Sequence, residues 1–242
     1  ALQAAGEISD SYYRAGALAA LTPHLSLDLL RSALQAAGEI SDPNRRAYAL
    51  AVLAPHLPPD LLPSALQSAG EISEPFLRAR TLAVLAPHLP SDLLLPVMQD
   101  ALRAAGEISD PNRRTYALAA LAPHLPSDLL PSALQAAGEI SDPCDRAEAL
   151  AALAPNLQPN LLLPVIRDAL QAASEISNPR DRAEALATLA PHLPPDLLLS
   201  SMQDALQAAG KISEPEDRTT LLVDLAPHLP PDLLLTAMQD AL

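Results

Sequence analysis

Ser41-Asp42-Pro43-Asn44-Arg45-Arg46-Ala47-Tyr48-Ala49-Leu50-Ala51-Val52-Leu53-Ala54-Pro55-His56-Leu57-Pro58-Pro59-Asp60 is the stretch whose reading decides the fold. It opens with a strong helix start: Asp42 is suited to accept an N-cap hydrogen bond, and Pro43 suits the first helical position, where its missing N–H has no partner to lose. Leu50, Leu53 and Leu57 then recur at spacings of three and four, which is one apolar stripe of an α-helix. Pro55 and the pair Pro58-Pro59 end or kink that helix. A second helix is predicted from about Asp60 or Pro63 through Leu66 and Ala69 to Ile72, after which Ser73-Glu74-Pro75 starts the cycle again. The pattern is an antiparallel helical hairpin, helix A followed by helix B.

Working outward, the hairpin recurs through the whole chain. Cutting before each Ala-Leu-(Gln/Arg) gives seven repeats, beginning at Ala1, Ala33, Ala65, Ala101, Ala133, Ala169 and Ala205, with Ala241-Leu242 opening another. The repeats are 32 or 36 residues long. Residues 1–242 therefore read as one tandem-repeat solenoid of class all-α, an α-solenoid whose repeats form an elongated superhelical stack of about fourteen helices. The composition agrees. Hydrophobic residues make up 49% but aromatic ones only 2%, so the core is built from Ala and Leu, strong helix formers that let helices approach closely.

The long repeats carry Leu95-Pro96-Val97-Met98-Gln99-Asp100 where short ones carry Pro63-Ser64. Four residues are about one helical turn and rotate the downstream face by only roughly 40°. Helix B is thus predicted to be a turn longer in the third, fifth, sixth and seventh repeats. Gly6, Gly38, Gly70, Gly106, Gly138 and Gly210 precede the end of helix B, and Ser174 takes the place in the sixth repeat. Ser does not readily adopt a left-handed conformation, so close helix packing is the expected reason for the glycines.

The run Asp142 to Leu153, Asp-Pro-Cys-Asp-Arg-Ala-Glu-Ala-Leu-Ala-Ala-Leu, resembles the first helix of HEAT-like repeats, with their Asp-Pro start and internal Arg. The period resembles that of tetratricopeptide (TPR-like) repeats, although their Trp, Gly and Tyr marks are missing. Arrays of this Ala/Leu-rich kind are similar to the sensor arms of bacterial signalling ATPases. The resemblance implies a superhelix that offers ridges to partners, and it carries over no catalytic residue.

Charge and motifs exclude much else. A net charge of −14 opposes binding to nucleic acid or an anionic membrane, and no apolar run approaches the roughly 18 residues that span a bilayer. Cys144 stands alone on an exposed-looking helix A position, and no Asn-x-Ser/Thr sequon occurs, which fits the cytoplasm. Glycine-rich phosphate loops, His-Glu-x-x-His and Gly-x-Ser-x-Gly are absent, so no enzyme and no cofactor are expected. The 29 carboxylates recur like caps and solvated faces rather than converging, although an enzyme acting through the acidic face is the contrary hypothesis.

Two ladders remain. His24, His56, His88, His124, His192 and His228 share one repeat position, with Asn156 in the seventh. A metal or pH-switch role would suit six equal histidines, but neighbours on stacked helices lie roughly 8–10 Å apart, too far to share a tetrahedral ion. Asn mimics a neutral His donor, which predicts a structural hydrogen bond at the A-to-B turn. Arg14, Arg46, Arg78, Arg114, Arg146, Arg182 and Arg218 recur without exception. They read either as a basic track for a phosphate-bearing ligand or, more simply, as a ladder with the acids at the Glu39 and Asp42 places.

Only one set of positions breaks the regularity. The second, third and sixth residues of helix A vary freely and, at spacing i, i+1 and i+4, share a face. All four tyrosines and the single Phe fall there: Tyr12, Tyr13, Tyr48, Phe76 and Tyr116, interleaved with Arg45, Arg80 and Arg113. This stripe is net +3 over the first four repeats and net −5 over the last three. Tyr beside Arg is the composition of interface hot spots, so these eight residues are the candidate partner-binding set for a protein or peptide. An Ala/Leu core also has no room for aromatic rings, which would place them outside with no partner at all. A spacer whose uncapped ends pair head to tail, or a consensus-like designed array without its own ligand, is the alternative. The chain starts and stops inside a helix B, which predicts that the natural protein continues or that its end faces associate.

Overall fold

The computed structural model describes residues 8–231, 233 and 234. Among these there are thirteen α-helices and no strand, and no helix is long and apolar enough to cross a membrane. The A helices are α1 (Ser11–Leu21), α3 (Pro43–Leu53), α5 (Pro75–Leu85), α7 (Pro111–Leu121), α9 (Pro143–Leu153), α11 (Pro179–Leu189) and α13 (Pro215–Leu225). The B helices are α2 (Leu27–Gly38), α4 (Leu62–Gly70), α6 (Ser91–Gly106), α8 (Leu130–Gly138), α10 (Pro159–Glu175) and α12 (Pro195–Ala209). The chain divides into two compact units, Ala1–Leu129 and Leu130–Leu242. In the first, α1, α3, α5 and α7 pack side by side as one layer, each against the B helices beside it; in the second, α9, α11 and α13 do the same. Both units are all-α solenoid stacks of two layers.

Six of the seven A helices are capped as the sequence predicts, while Glu214 makes no side-chain cap bond to α13. Asp42 accepts from the Arg45 N–H at 2.8 Å and Asp110 from the Arg113 N–H at 2.8 Å, while Glu74 accepts from the Leu77 N–H at 2.7 Å. Leu50 and Leu53 are fully buried and Leu57 nearly so, which is the predicted stripe. The helix then tightens into a 3₁₀ turn, Ala54–His56, and the Leu57 N–H donates to the Ala54 carbonyl at 3.3 Å. That backbone bond recurs at every described A-to-B turn. It replaces the predicted histidine bond: His24, His56 and His88 are exposed, His124, His192 and His228 half-exposed, and none makes a side-chain hydrogen bond among the described residues. The turn closes on its own backbone, so no partner requires His rather than Asn156.

The length prediction holds where it is described. α6, α10 and α12 have 16, 17 and 15 residues against 12 for α2 and 9 for α4 and α8. Met98, Ile166 and Met202 are fully buried at the place that Leu62 and Leu130 occupy in the short helices, so the added turn lies upstream and the apolar face is kept. The corresponding segment of the seventh repeat lies outside the described residues. Pro63 and Pro131 break the short B helices into a 3₁₀ turn and an α-helix, whereas Arg31 at the same place leaves α2 continuous.

The glycines correct the packing expectation. Only Gly38 is closely approached, with a Cβ there falling 2.8 Å from Ser68 Oγ; at Gly70, Gly106 and Gly138 nothing lies within 4 Å. Among the described residues no glycine has a positive φ, so a left-handed cap is not the reason either. Gly6 lies outside the described residues.

The arginine ladder has a backbone partner besides the predicted carboxylates. In six of the seven repeats the guanidinium donates to the carbonyl of the Ile six residues earlier: Arg14 Nε to Ile8 at 2.6 Å, Arg46 Nε to Ile40 at 2.8 Å, Arg78 Nη1 to Ile72 at 3.5 Å, Arg114 Nε to Ile108 at 2.8 Å, Arg146 Nη1 to Ile140 at 2.9 Å and Arg218 Nη1 to Ile212 at 3.2 Å. The predicted carboxylate ladder forms in three repeats, with the acid at the Glu39 place at the end of the next helix B: Arg46 with Glu71 at 3.8 Å, Arg78 with Glu107 at 2.6 Å, and Arg146 with Glu175. Arg182 instead approaches Asp204, at 3.9 Å.

Two outcomes are expected in chemical denaturation. Gly70→Ala, Gly106→Ala and Gly138→Ala should each stabilise by about 0.5–1 kcal/mol, because the backbone is already helical and the added methyl meets open space, while Gly38→Ala gains less or loses. Arg114→Met should destabilise by about 1–2 kcal/mol, since it strips the donors from the Ile108 and Gly106 carbonyls while keeping most of the stem.

Candidate binding surface

The surface is built on the first turns of α1, α3, α5 and α7, all within the first compact unit. N-capping by Asp10, Asp42, Glu74 and Asp110 holds these turns. The inward positions go to Ala, Leu and the recurring arginine of the ladder, so the second, third and sixth residues are turned outward. Tyr12, Tyr13, Tyr48 and Tyr116 are 58%, 66%, 50% and 56% exposed, and Phe76 is half-buried.

Seven of the eight predicted residues meet a ring or a guanidinium of the set or line a shared cleft. The Arg45 guanidinium lies 4.4 Å from the centre of the Tyr12 ring, bridging α3 to α1, and Tyr13 meets Tyr12 edge-on at 5.3 Å. Arg80 and Arg113 both lie 5.4 Å from the Phe76 ring, and Arg113 also pairs with Glu74 at 3.3 Å. Cation–π contacts of this kind are worth about 0.5–1 kcal/mol at exposed sites. Tyr116 stands apart, with no ring or cation contact among the described residues.

Two adjoining clefts run along this face. One, of about 290 Å³, is lined by Tyr12, Tyr13, Gly16, Arg45 and Tyr48. The other, of about 240 Å³, is lined by Asn44, Tyr48, Leu77, Arg80 and Val84. Tyr48 belongs to both and forms the wall between them.

The second unit carries the acidic part of the stripe. Arg180 pairs with Glu184 at 2.8 Å and Asp217 at 3.1 Å, which raises its pKa. Burial, then the neighbouring Asp145, pushes Glu148 up. The unit also holds a feature outside the stripe, an apolar groove of about 570 Å³ lined by Pro155, Leu157, Leu163, Ile166, Pro191 and Leu193. Asn156, Gln158 and Asn160 depart nearby from the His, Pro and Asp of most other repeats, but none of the three lines the groove. Among the described residues no group of three or more His, Cys, Asp and Glu is placed to hold a metal ion.

Cys144 is half-buried rather than exposed, and its thiol is pushed up to about 11 by burial first and then by Asp181, Asp142, Asp145 and Glu148. The thiolate is the reactive form, so alkylation by iodoacetamide should be slow at neutral pH and accelerate only towards pH 11. Asp181→Asn should shift that profile to lower pH. Because the folded thiol titrates above the unfolded one, the stability it contributes is present below about pH 9 and is lost as pH rises from there towards 11.

No family model matches the chain, and no curated protein matches it. Among solved structures, it is similar to one described as "Computational Design of Self-Assembling Cyclic Protein Homooligomers", at 15% identity over 99% of this chain and 85% of that one, with a TM-score of 0.17. At that score the two backbones do not superpose as one fold, so the assembly of that protein says nothing about this chain.

Proposed function

We propose that the chain is a non-catalytic recognition array that binds a protein or peptide along the outer face of α1, α3, α5 and α7. The observation that carries this reading is the stacking of Arg45 on Tyr12, and of Arg80 and Arg113 on Phe76, beside tyrosines that are at least half exposed. Rigid aromatic anchors with adjacent guanidiniums are what interface hot spots use, and the stacks hold these side chains before a partner arrives. The HEAT-like look of Asp142 to Leu153 supports the same role. Net charge −14 supports a partner other than nucleic acid or an anionic membrane, and the lone Cys144 without a glycosylation sequon supports a cytoplasmic setting.

The competing reading is a spacer that self-associates. Sedimentation over a range of concentrations separates the two, since a spacer polymerises and a recognition array does not. With a captured partner in hand, Tyr48, Phe76, Arg80 and Tyr116 are changed singly to Ala. One or two of these should cost about 2 kcal/mol or more of binding with helicity unchanged. If all four bind like the parent while substitutions on the B helices or the A-to-B turns abolish binding, the ridge is only a solvated face.

A further inference from the structure

Resting on that reading, we infer that the paired clefts on either side of Tyr48 take an extended acidic peptide, with one carboxylate at Arg45, another at Arg80, and an apolar side chain seated against Tyr48. The first ground is charge. The chain has 29 acidic residues against 15 basic, yet among the described residues no carboxylate lies within ion-pairing distance of Arg45 or Arg80. Arg113, Arg180, Arg31 and Arg103, also at the surface, have such partners; exposed Arg167 has none, but it rests over no aromatic ring among the described residues. Arg45 and Arg80 instead rest over aromatic rings. A stacked guanidinium keeps its in-plane N–H fork for a carboxylate, the bidentate geometry that Arg favours.

Gly16 is the second ground. The sixth position of helix A carries Tyr48, Arg80, Tyr116, Glu148, Glu184 and Thr220 in the other repeats, and only the first repeat has Gly. A glycine inside an exposed helix costs about 1 kcal/mol relative to Ala. Its φ is not positive and nothing lies within 4 Å of a Cβ placed there, so neither backbone geometry nor packing calls for it. It lines the cleft that contains Arg45, and a side chain of the size found in the other repeats would occupy that space. The spacing suits a peptide as well: adjacent helices lie roughly 8–10 Å apart, which about three extended residues span at roughly 3.3 Å each.

The test uses the full chain as bait for a random-peptide display library, counter-screened on the double variant Arg45→Gln/Arg80→Gln. Binding of recovered peptides is then measured by fluorescence anisotropy. Recovered sequences should carry two Asp or Glu about three positions apart with an apolar residue between, and lose affinity as salt rises. Arg45→Gln and Arg80→Gln should each weaken binding about tenfold or more, and Arg31→Gln should leave it unchanged. Gly16→Tyr should block binding while keeping or raising helicity, an outcome that a merely structural glycine does not produce. Recovery of no peptide that separates parent from double variant overturns the inference, as does recovery of peptides without the acidic pair. In the latter case, binding that Tyr48→Ala abolishes leaves the ridge as a recognition surface for another class of peptide. If none of the ridge substitutions matters, the ridge reading falls too.

Discussion

The structure depends on what happens where helix B ends. The last carbonyls of a helix have no intrahelical partner, and here the chain must start a new helix within a few residues. The Ile just past helix B is buried in most repeats, so its backbone carbonyl is drawn out of easy reach of water together with the side chain. In six of the seven repeats the Arg six residues on supplies the missing donor. Its own N–H simultaneously makes the first helical bond of helix A, from Arg46 to the Asp42 carbonyl at 2.9 Å and likewise in the other repeats. One residue thus ties the end of one hairpin to the beginning of the next. In three repeats its guanidinium also reaches the Glu of the following hairpin.

That latch explains why an Ala/Leu core with almost no aromatic residues suffices. Ala33, Ala65, Ala79 and Ala101, on α2, α4, α5 and α6, are wholly covered, which requires helices to sit close and in a fixed register. Leu side chains alone would tolerate sliding between neighbours. A directional bond at the junctions removes that freedom, and helix B can then vary in length upstream of the buried Met98, Ile166 or Met202 without disturbing the hairpin that comes next.

The signals legible in the sequence each act within one turn: the Asp-Pro start, the Leu50 and Leu53 stripe and the four-residue lengthening of helix B. The features that depart from expectation concern partners that the linear pattern does not display. A recurring His suggests a side-chain donor, yet a Pro-containing 3₁₀ turn already satisfies the backbone and leaves His56 at the surface. A recurring Arg beside recurring acids suggests an ion-pair ladder, which three repeats make, but it does not display the partner shared by six, the Ile carbonyl, an atom present in every residue and therefore invisible as a motif. The glycines suggest packing positions, but only the Gly38–Ser68 approach is one. The stripe is legible as a face from its spacing, whereas the stacking of Arg45 on Tyr12 across two hairpins and the groove beside Leu163 need three dimensions.

The latch also bears on where specificity can reside. Asp at the cap, Pro at the first position, Arg at the fourth and Ala or Leu facing inward are all committed to holding helix A in place. The second, third and sixth positions are the ones that this scheme leaves free, and substitutions there change the surface without touching the junction. A face made of such positions can therefore hold a residue that is poor for stability, as Gly16 is, because the helix carrying it is secured elsewhere by the Asp10 cap and the Arg14 bond to Ile8. Departures from regularity on this face carry more information than the same departures would in the core, where packing decides the residue. The coincidence of a helix-weakening glycine, a guanidinium without a carboxylate and three tyrosines around one cleft is for that reason not accounted for by the junction, and it is the ground on which the peptide proposal rests.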